Sequence, residues 1–239
     1  MTDSLSIKKE KLHAQTYGIL RKALMTGRFQ PGQKLLLRPL AEKLGISVTP
    51  VREALLQLVT ERALTSDSSR SLSVPILDLA RFREIRDLRI ELEGRAAEVA
   101  AKRATTAHVA KLERLQEELR ACRRAGDFAG ALVTNEAFHF TVYGLAEMPV
   151  LYSIIEGLWV QIGPILTRLF DRVDTKSLDN HPHDEMITAF RRNDGAAARH
   201  ALAGDILWAA GHLEASLAAG THATPNPPEP PPPRKRAIH

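Results

Sequence analysis

The sequence predicts a mainly α-helical protein in which a small strand-containing unit is followed by an all-α bundle. Apolar side chains recur at helical spacing through most of residues 77–219, whereas the short strand-like segments all lie before Pro75. The Pro-rich composition after residue 220 is unsuited to a packed core and predicts an extended, disordered tail. We therefore divide the chain into three parts: residues 1–76, 77–219 and 220–239.

Charge and cysteine content narrow the possible classes of function. The 239 residues carry a formal net charge of +5. Residues 8–70 contain 12 arginines and lysines against 5 acidic residues, so the basic excess lies in the first third of the chain. The single cysteine, Cys122, cannot form an internal disulfide and indicates a reducing compartment. Because we find neither an N-terminal signal region nor an 18-residue apolar run, we expect a cytoplasmic protein without a membrane span.

The first predicted helix runs from Glu10 to Thr26, after nine polar residues that we expect to be frayed. Its apolar positions follow the helical period, and Gly27 is a candidate C-cap. Pro31 and Gly32 then predict a turn, and the three leucines of residues 35–37 predict a short strand.

Two closely spaced helices follow, over residues 39–44 and 48–62. Gly45 separates them, and Ser47 and Thr49 are both candidate N-caps of the second helix. A helix, a tight glycine turn and a second helix with a polar N-terminus are typical of a helix-turn-helix, whose second helix enters the major groove. Residues 64–75 predict a hairpin that would act as a wing. The alternative is a plain packing corner; the preceding helix, the basic bias and the hairpin favour the winged helix-turn-helix.

These residues resemble the GntR family of bacterial transcription regulators. The resemblance rests on Gly27–Leu35, Leu40–Gly45 and Thr49–Leu55. It implies that the chain binds double-stranded operator DNA through six residues: Arg38, Ser47, Val48, Thr49, Arg52 and Arg70. Val48 departs from the family, since many relatives have arginine there. An apolar contact with a thymine methyl group is one replacement, so the operator sequence is left open.

The second part of the chain resembles the FadR subfamily with its all-helical FCD effector domain. Leu88–Gly94 and Asn135–His139 carry this resemblance, which implies a homodimer and a small-molecule effector. The winged helix-turn-helix would then be followed by an FCD-like helical bundle. The resemblance also makes Arg89 a candidate partner for an effector carboxylate, and so suggests an organic acid. The alternative for Arg89 is a surface salt bridge with Glu93.

A candidate metal site lies among the predicted helices of this bundle. Asn135 and His139 share a helix face, while His183 and Asp205 lie on later helices. Imidazole nitrogens and side-chain oxygens from facing helices can bind one divalent metal ion, with zinc, nickel and manganese all open. The family often has aspartate at Asn135 and usually has histidine at Asp205. The alternative is a polar pocket that binds the effector directly, with Trp159 and Gln161 as further candidates for its lining.

Regulation of transcription is the function that the sequence predicts, with repression released by ligand as the common family pattern. A metal-dependent enzyme is one alternative, but we find no nucleophile elbow, phosphate loop or His-Glu-x-x-His motif. A DNA-binding protein without an effector is the other. The roughly 140-residue helical part argues against it, because DNA binding alone does not need such a domain.

Overall fold

The computed structural model describes residues 2–67, 71–170 and 182–218. The elements of the N-terminal unit are α1 (Thr2–Met25), β1 (Lys34–Leu35), α2 (Leu37–Leu44), α3 (Val48–Thr60), β2 (Thr65–Ser66) and β3 (Leu72–Ser73). Those of the helical domain are α4 (Leu79–Lys102), α5 (Thr106–Arg124), α6 (Phe128–Leu145), α7 (Pro149–Leu166), a 3-10 helix (Thr167–Phe170), α8 (His183–Arg191) and α9 (Gly195–Ala218).

The N-terminal unit is a winged helix-turn-helix. Strand β3 lies between β1 and β2 and pairs antiparallel with both, so that the three short strands form a small sheet beside the helices. Helix α3 buries Val51, Leu55 and Leu58 completely, and it packs against α1. The apolar stripe of α3 faces this core, which leaves its polar N-terminal residues at the surface.

The turn between α2 and α3 depends on a glycine in the left-handed conformation. Gly45 has φ of 67° and ψ of 32°, which a side chain would strain. Its N–H donates to the Glu42 carbonyl, and the N–H of Ile46 donates to the Ala41 carbonyl. Ala41 is buried, so a small side chain at that position allows the two helices to approach.

Helices α4 to α9 form the predicted all-helical domain, and no strand occurs among its described residues. Helix α4 packs along α9, α5 packs along α6, and α8 lies against both α5 and α9. Local caps fix several helix starts: the Asp78 carboxylate accepts from the Arg81 N–H at 2.8 Å, and Thr105 with His108 forms a capping box. This packing directs side chains from α4, α6, α8 and α9 into one interior region.

The two parts of the chain meet where α1 lies against α7 and α6. A Cβ added to Gly163 of α7 would lie 2.3 Å from the Leu24 carbonyl oxygen and 2.6 Å from the Met25 Cα, so the two backbones are in close contact. Lys22 of α1 forms an ion pair with the buried Glu136 of α6. The junction between the two parts is therefore closely packed.

Several boundaries differ from the sequence-based expectations. Helix α1 begins at Thr2 instead of after a frayed segment, and β1 is shorter than the predicted strand because Leu37 already starts α2. Ser47 is the N-cap of α3, although its side chain makes no capping hydrogen bond. The wing tip with Arg70 and the predicted tail, residues 220–239, lie outside the described residues.

Helix α7 is an unusually apolar element. With the following turn, residues Pro149–Leu169 are long and apolar enough to cross a membrane by length and composition, although no continuous apolar run was found in the sequence. Half of that stretch is buried inside the protein. The core helices of proteins outside membranes meet the same two criteria, so the stretch is weak evidence for a membrane span.

Candidate functional site

The first candidate site is the surface around the start of α3. Arg38, Ser47, Thr49 and Arg52 are all exposed there. Arg52 lies one turn inside α3, where a guanidinium can reach a base edge or a phosphate, and the hydroxyls lie at the helix N-terminus. The Ser47 hydroxyl makes no capping hydrogen bond, and its O–H can donate to a phosphate oxygen.

Val48 differs from these neighbours because it is half-buried and packs against the hydrophobic core. The buried part of its side chain packs against the core and helps to position α3. The exposed part can contact a thymine methyl group. A polar residue at this position would lose some core contact in exchange for a contact with DNA.

The second candidate site is a buried cluster of His139 from α6, His183 from α8 and Asp205 from α9. The two Nε2 atoms are 3.2 Å apart. His139 Nε2 lies 3.2 Å from one Asp205 carboxylate oxygen, and His183 Nε2 lies 3.7 Å from the other. The helix packing thus brings together three of the four residues in the predicted metal set, and their ligand atoms all face one another.

The hydrogen bonds on the far side of each ring favour a cation between them. His183 Nδ1 lies 2.9 Å from the Gln116 Oε1, which accepts a hydrogen bond from the ring N–H. His139 Nδ1 lies 3.0 Å from the Tyr143 hydroxyl, which itself donates to Glu93 and so accepts from the ring. In the tautomers in which Nδ1 carries the hydrogen, the two Nε2 lone pairs and the carboxylate face each other as acceptors.

The donor set and its spacing fit a divalent transition metal. Ligand atoms about 2.1 Å from a tetrahedral ion would be roughly 3.4 Å apart, and the three distances in the cluster lie on both sides of that value. Two imidazole nitrogens and one carboxylate oxygen suit zinc, nickel or manganese. His139, His183 and Asp205 would hold the ion.

Arg89 lies beside this cluster, but its guanidinium forms a salt bridge with Glu93. The Arg89 Nε donates to Glu93 Oε1 at 2.6 Å, and its guanidinium stacks over the Trp159 ring at 4.8 Å. Glu93 also accepts from Trp159 Nε1 at 3.0 Å and from the Tyr143 hydroxyl at 2.5 Å. The salt bridge considered in the sequence analysis is therefore formed, but it is buried and not at the surface.

The pKa values around Glu93 follow from this arrangement. Burial alone would lower the pKa of Arg89, but the adjacent Glu93 carboxylate raises it above its ordinary value. Burial, together with the Glu93 charge, raises the pKa of Tyr143 well above its usual range. Arg89 is thus a permanent cation, and Tyr143 is a neutral donor to Glu93.

A small cavity of about 30 Å³ opens next to the cluster. Asn135, the fourth residue of the predicted metal set, lines it together with His139 and Asp205. A second guanidinium also reaches this cavity: Arg123, from the last turn of α5, is buried with a relative exposure of 6%. Burial lowers the pKa of Arg123, and the Asp205 carboxylate opposes that shift.

Tyr143, Gln116 and Arg123 were not predicted from the sequence as residues of the site. Tyr143 could have been found, since it lies four residues after His139 on the same helix face. Gln116 and Arg123 lie on α5, which the sequence did not connect with the site. Trp159 lines the cavity as predicted, whereas Gln161 points away from it, accepts from Arg81 at 2.8 Å and lines a different cavity.

Comparisons with known proteins match both parts of the chain. Residues 12–74 match the bacterial regulatory proteins of the gntR family, and residues 84–207 match the FCD domain. The HTH-type transcriptional regulator McbR of Escherichia coli (strain K12) is 34% identical over 199 residues, 82% of this chain and 90% of that protein. The Nta operon transcriptional regulator of Aminobacter aminovorans is 30% identical over 71% of this chain and 80% of its own length.

Solved structures have the same architecture. The structure of E. coli McbR/YncC, which is 33% identical, has a TM-score of 0.80 and covers 86% of this chain and 98% of its own. A GntR-type regulator from Rhodococcus sp. RHA1, at 20% identity, shares the fold with a TM-score of 0.68, covering 85% of this chain and 98% of its own.

The winged helix-turn-helix and the attached helical domain define the class: this is a DNA-binding transcriptional regulator with an effector-binding domain. The chain belongs to the GntR family of bacterial regulatory proteins, among the members that carry an FCD domain.

Proposed function

We propose that the protein is a repressor whose affinity for operator DNA is lowered when a small carboxylate binds next to a metal ion in the helical domain. Residues 1–76 would bind the DNA, and residues 77–219 would bind the effector and form a homodimer. The observation that carries this proposal is the buried group of two imidazoles and a carboxylate, with a cavity and a guanidinium beside it.

The proposed DNA contacts are those of the exposed α3 surface. Arg52 would contact a base edge or phosphate, while Arg38, Ser47 and Thr49 would fix the register on the backbone. Val48 would contact a thymine methyl group through its exposed part, and Arg70 would reach the neighbouring groove from the wing. We propose that two such units in a dimer read half-sites about one helical turn apart.

Arg123 is a better partner for the effector carboxylate than Arg89. The guanidinium of Arg89 already donates twice to Glu93, and separating this buried pair would leave a charge without compensation. Arg123 reaches the cavity from another helix, opposite a metal cluster that would carry positive charge with a divalent ion bound. Both charges favour an anion, and a guanidinium suits a carboxylate.

The size of the cavity limits the effector. At roughly 30 Å³ or somewhat less for each water-sized group, a volume of about 30 Å³ holds little more than one such group, so we propose that only the smallest carboxylates bind and that the cavity walls move apart around them. When bound, the metal would supply a Lewis-acidic position for one carboxylate oxygen. Asn135 would orient the ligand by donating from its amide, and we propose binding rather than catalysis at this site.

Helix α6 offers a path from the effector to the DNA-binding unit. It carries Asn135 and His139 on the cavity side, while its Glu136 pairs with Lys22 of α1. Leu132 of the same helix lines the cavity, and it lies so close to Gly27 that an added Cβ there would be 3.1 Å from it. A ligand that shifts α6 would therefore move α1 and the orientation of the winged unit, as linkage between two states requires. We propose a cytoplasmic location, since the relatives are named as transcriptional regulators.

The experiment is an operator-release assay. DNA selected from a random pool by the wild-type protein is titrated by fluorescence anisotropy, with Zn²⁺, Ni²⁺, Mn²⁺ or chelator and a panel of two- to four-carbon carboxylates. At least one acid should weaken operator binding about tenfold or more with metal, in line with typical allosteric coupling. The double variant His139→Ala and His183→Ala should lose the response while still binding the DNA.

Arg123→Met tests the carboxylate contact, with Arg124→Met as the matched control. Arg124 is the exposed neighbour on the same helix and pairs with Glu117 at the surface. We expect Arg123→Met to need about tenfold or more acid for release, since a charge-assisted pair contributes roughly 1.5–3 kcal/mol, and Arg124→Met to respond as the wild type does. An equal response of both variants, or operator binding that no acid changes in the metal-loaded protein, would contradict the proposal.

A further inference from the structure

A second and larger cavity lies at the junction of the two parts of the chain. Its volume is about 310 Å³, compared with about 30 Å³ beside the histidines, and small-molecule pockets typically start at roughly 300 Å³. Its walls come from both sides of the junction: Pro31 of the winged unit, the connecting residues Pro75–Leu79, α7 with the 3-10 helix, and Leu217 near the end of α9.

The lining of this junction cavity is apolar apart from a few groups. Pro164, Ile165 and Leu217 form the side of the helical domain, and Ile76 and Leu77 form the side of the connecting segment. The Asp78 carboxylate at the wall is already used as the N-cap of α4. Arg168 is the cationic group among the lining residues, and its guanidinium can pair with an anionic head on an apolar body.

Arg168 has the properties of a ligand-binding guanidinium. It is half-buried in the 3-10 helix after α7, and it has neither an ion pair nor a hydrogen bond from its side chain among the parts of the chain that the structure describes. The two arginines that line the smaller cavity differ from it, because each interacts with a neighbouring carboxylate: Arg89 with Glu93, and Arg123 with Asp205. A half-buried guanidinium beside apolar walls gains most from a carboxylate, which offers it two parallel acceptors.

We propose that the junction cavity binds an amphipathic monocarboxylate of roughly ten non-hydrogen atoms, since each occupies about 30 Å³ or somewhat less. The carboxylate pairs with Arg168, and the apolar chain lies between Ile165, Leu217 and the connecting segment. This site is separate from the metal cluster and does not depend on the proposed function.

The position of the site has a consequence for regulation. A ligand there contacts both the segment that joins the two parts and the helix α7 against which α1 packs. It therefore binds best to the arrangement in which both walls are together and stabilises that arrangement over others. The protein would then have a second sensing site that responds to a different class of acid.

Octanoate, with ten non-hydrogen atoms, is the probe, and octanamide is its uncharged counterpart of the same size. Calorimetry on the full chain, in chelator, should show octanoate binding at least tenfold more tightly than octanamide. Arg168→Met should weaken octanoate binding about tenfold and leave octanamide binding unchanged. Arg192→Met, an exposed arginine at the end of α8, is the matched control and should behave as the wild type does.

Two further variants separate this site from its alternatives. Leu217→Trp should fill the cavity and abolish binding of both probes, whereas the variant with His139→Ala and His183→Ala should bind octanoate normally. Octanoate binding that survives Arg168→Met, or that is lost with the histidines, overturns the proposal.

Two other occupants of the junction cavity compete with a carboxylate. One is the chain's own segment 219–239, which begins two residues after Leu217. The other is a second copy of the chain. If octanoate does not bind, and Leu217→Trp makes Arg234 and Lys235 newly accessible to trypsin, the cavity belongs to the C-terminal segment. If octanoate does not bind and Leu217→Trp instead dissociates an oligomer in sedimentation, it is an interface between copies. Either result overturns the proposal.

Discussion

The exposed surface around the start of α3 and the histidine cluster differ in how their residues are held. Arg38, Ser47, Thr49 and Arg52 are exposed, and their positions depend on the backbones of α2, α3 and the turn between them. The cluster residues are buried in a polar network that includes side chains from all six α-helices of the helical domain, α4 to α9. Changes at the surface should therefore alter binding and leave stability intact, whereas changes around the cluster should alter both.

Removing the carboxylate of Glu93 is the strongest test of this difference. Glu93→Ala leaves the buried Arg89 cation unpaired and takes the acceptor from Trp159 and Tyr143. The free energy of unfolding should fall by about 3–5 kcal/mol in urea denaturation. Glu91→Ala is the control, since Glu91 is exposed on the same helix and pairs with Arg199 at the surface. The free energy of unfolding of Glu91→Ala should fall by about 1 kcal/mol or less. Equal losses in the two variants would show that the buried network stabilises the protein no more than a surface salt bridge does.

The junction between the two regions gives the next largest effect. Gly163→Ala places a methyl group against the backbone of Leu24 and Met25, so α1 and α7 must separate, at a cost of about 1–3 kcal/mol of stability. Gly157→Ala on the same helix meets nothing within 4 Å and should be neutral or stabilising by up to about 1 kcal/mol. The measurement is the thermal unfolding temperature of both variants. If Gly163→Ala does not lower it, the contact between α1 and α7 is loose.

Arg52→Ala tests the surface half of the comparison. Affinity for the selected operator should fall by about 1–3 kcal/mol, roughly a tenfold to hundredfold change in Kd, while stability changes by less than about 0.5 kcal/mol. Arg114→Ala removes the same charge from an exposed position on α5 and should affect neither quantity strongly. Operator affinity that is the same in both variants would exclude Arg52 from the interface.

The smallest effect concerns the three tyrosines at high pH. Burial and the Glu61 carboxylate raise the pKa of Tyr17 to about 12, and burial also raises the pKa values of Tyr143 and Tyr152. The folded protein then holds protons that the unfolded chain releases near pH 10, so stability is complete below pH 10 and declines as the pH rises toward 12. Absorbance at 295 nm at pH 11 should show little tyrosinate until denaturant is added; immediate ionisation of all three would contradict these pKa shifts.

The sequence predicted correctly those elements that depend on residues close together in the chain. The glycine turn at Gly45 and the helical period after Leu77 depend on neighbouring residues, and both the helix-turn-helix and the all-α domain were predicted from them. The predicted start of α1, at Glu10, was wrong. The first residues are polar, which suggested a frayed segment, but α1 already begins at Thr2.

The candidate site was only partly predictable, because most of its residues come from elements that are distant in the sequence. Asn135 and His139 share a helix face by their spacing alone, and the family resemblance supplied His183 and Asp205. Arg123 could not be assigned to the cavity, because that requires knowing which side of α5 faces α6. The burial of Arg89 was likewise invisible, since an i, i+4 pair with Glu93 has the same spacing inside a protein as on its surface.

The close approach of Gly163 to α1 also matters for anyone who recombines such regulators to make biosensors. A foreign winged unit joined at Pro75 would have to present a backbone as close to α7 as that of Leu24 and Met25. It would also need a basic residue to meet Glu136. Chimeras that carry α1 together with α7 from one parent should keep their response to ligand more often than chimeras cut between them, so the useful unit of exchange is not the DNA-binding domain alone.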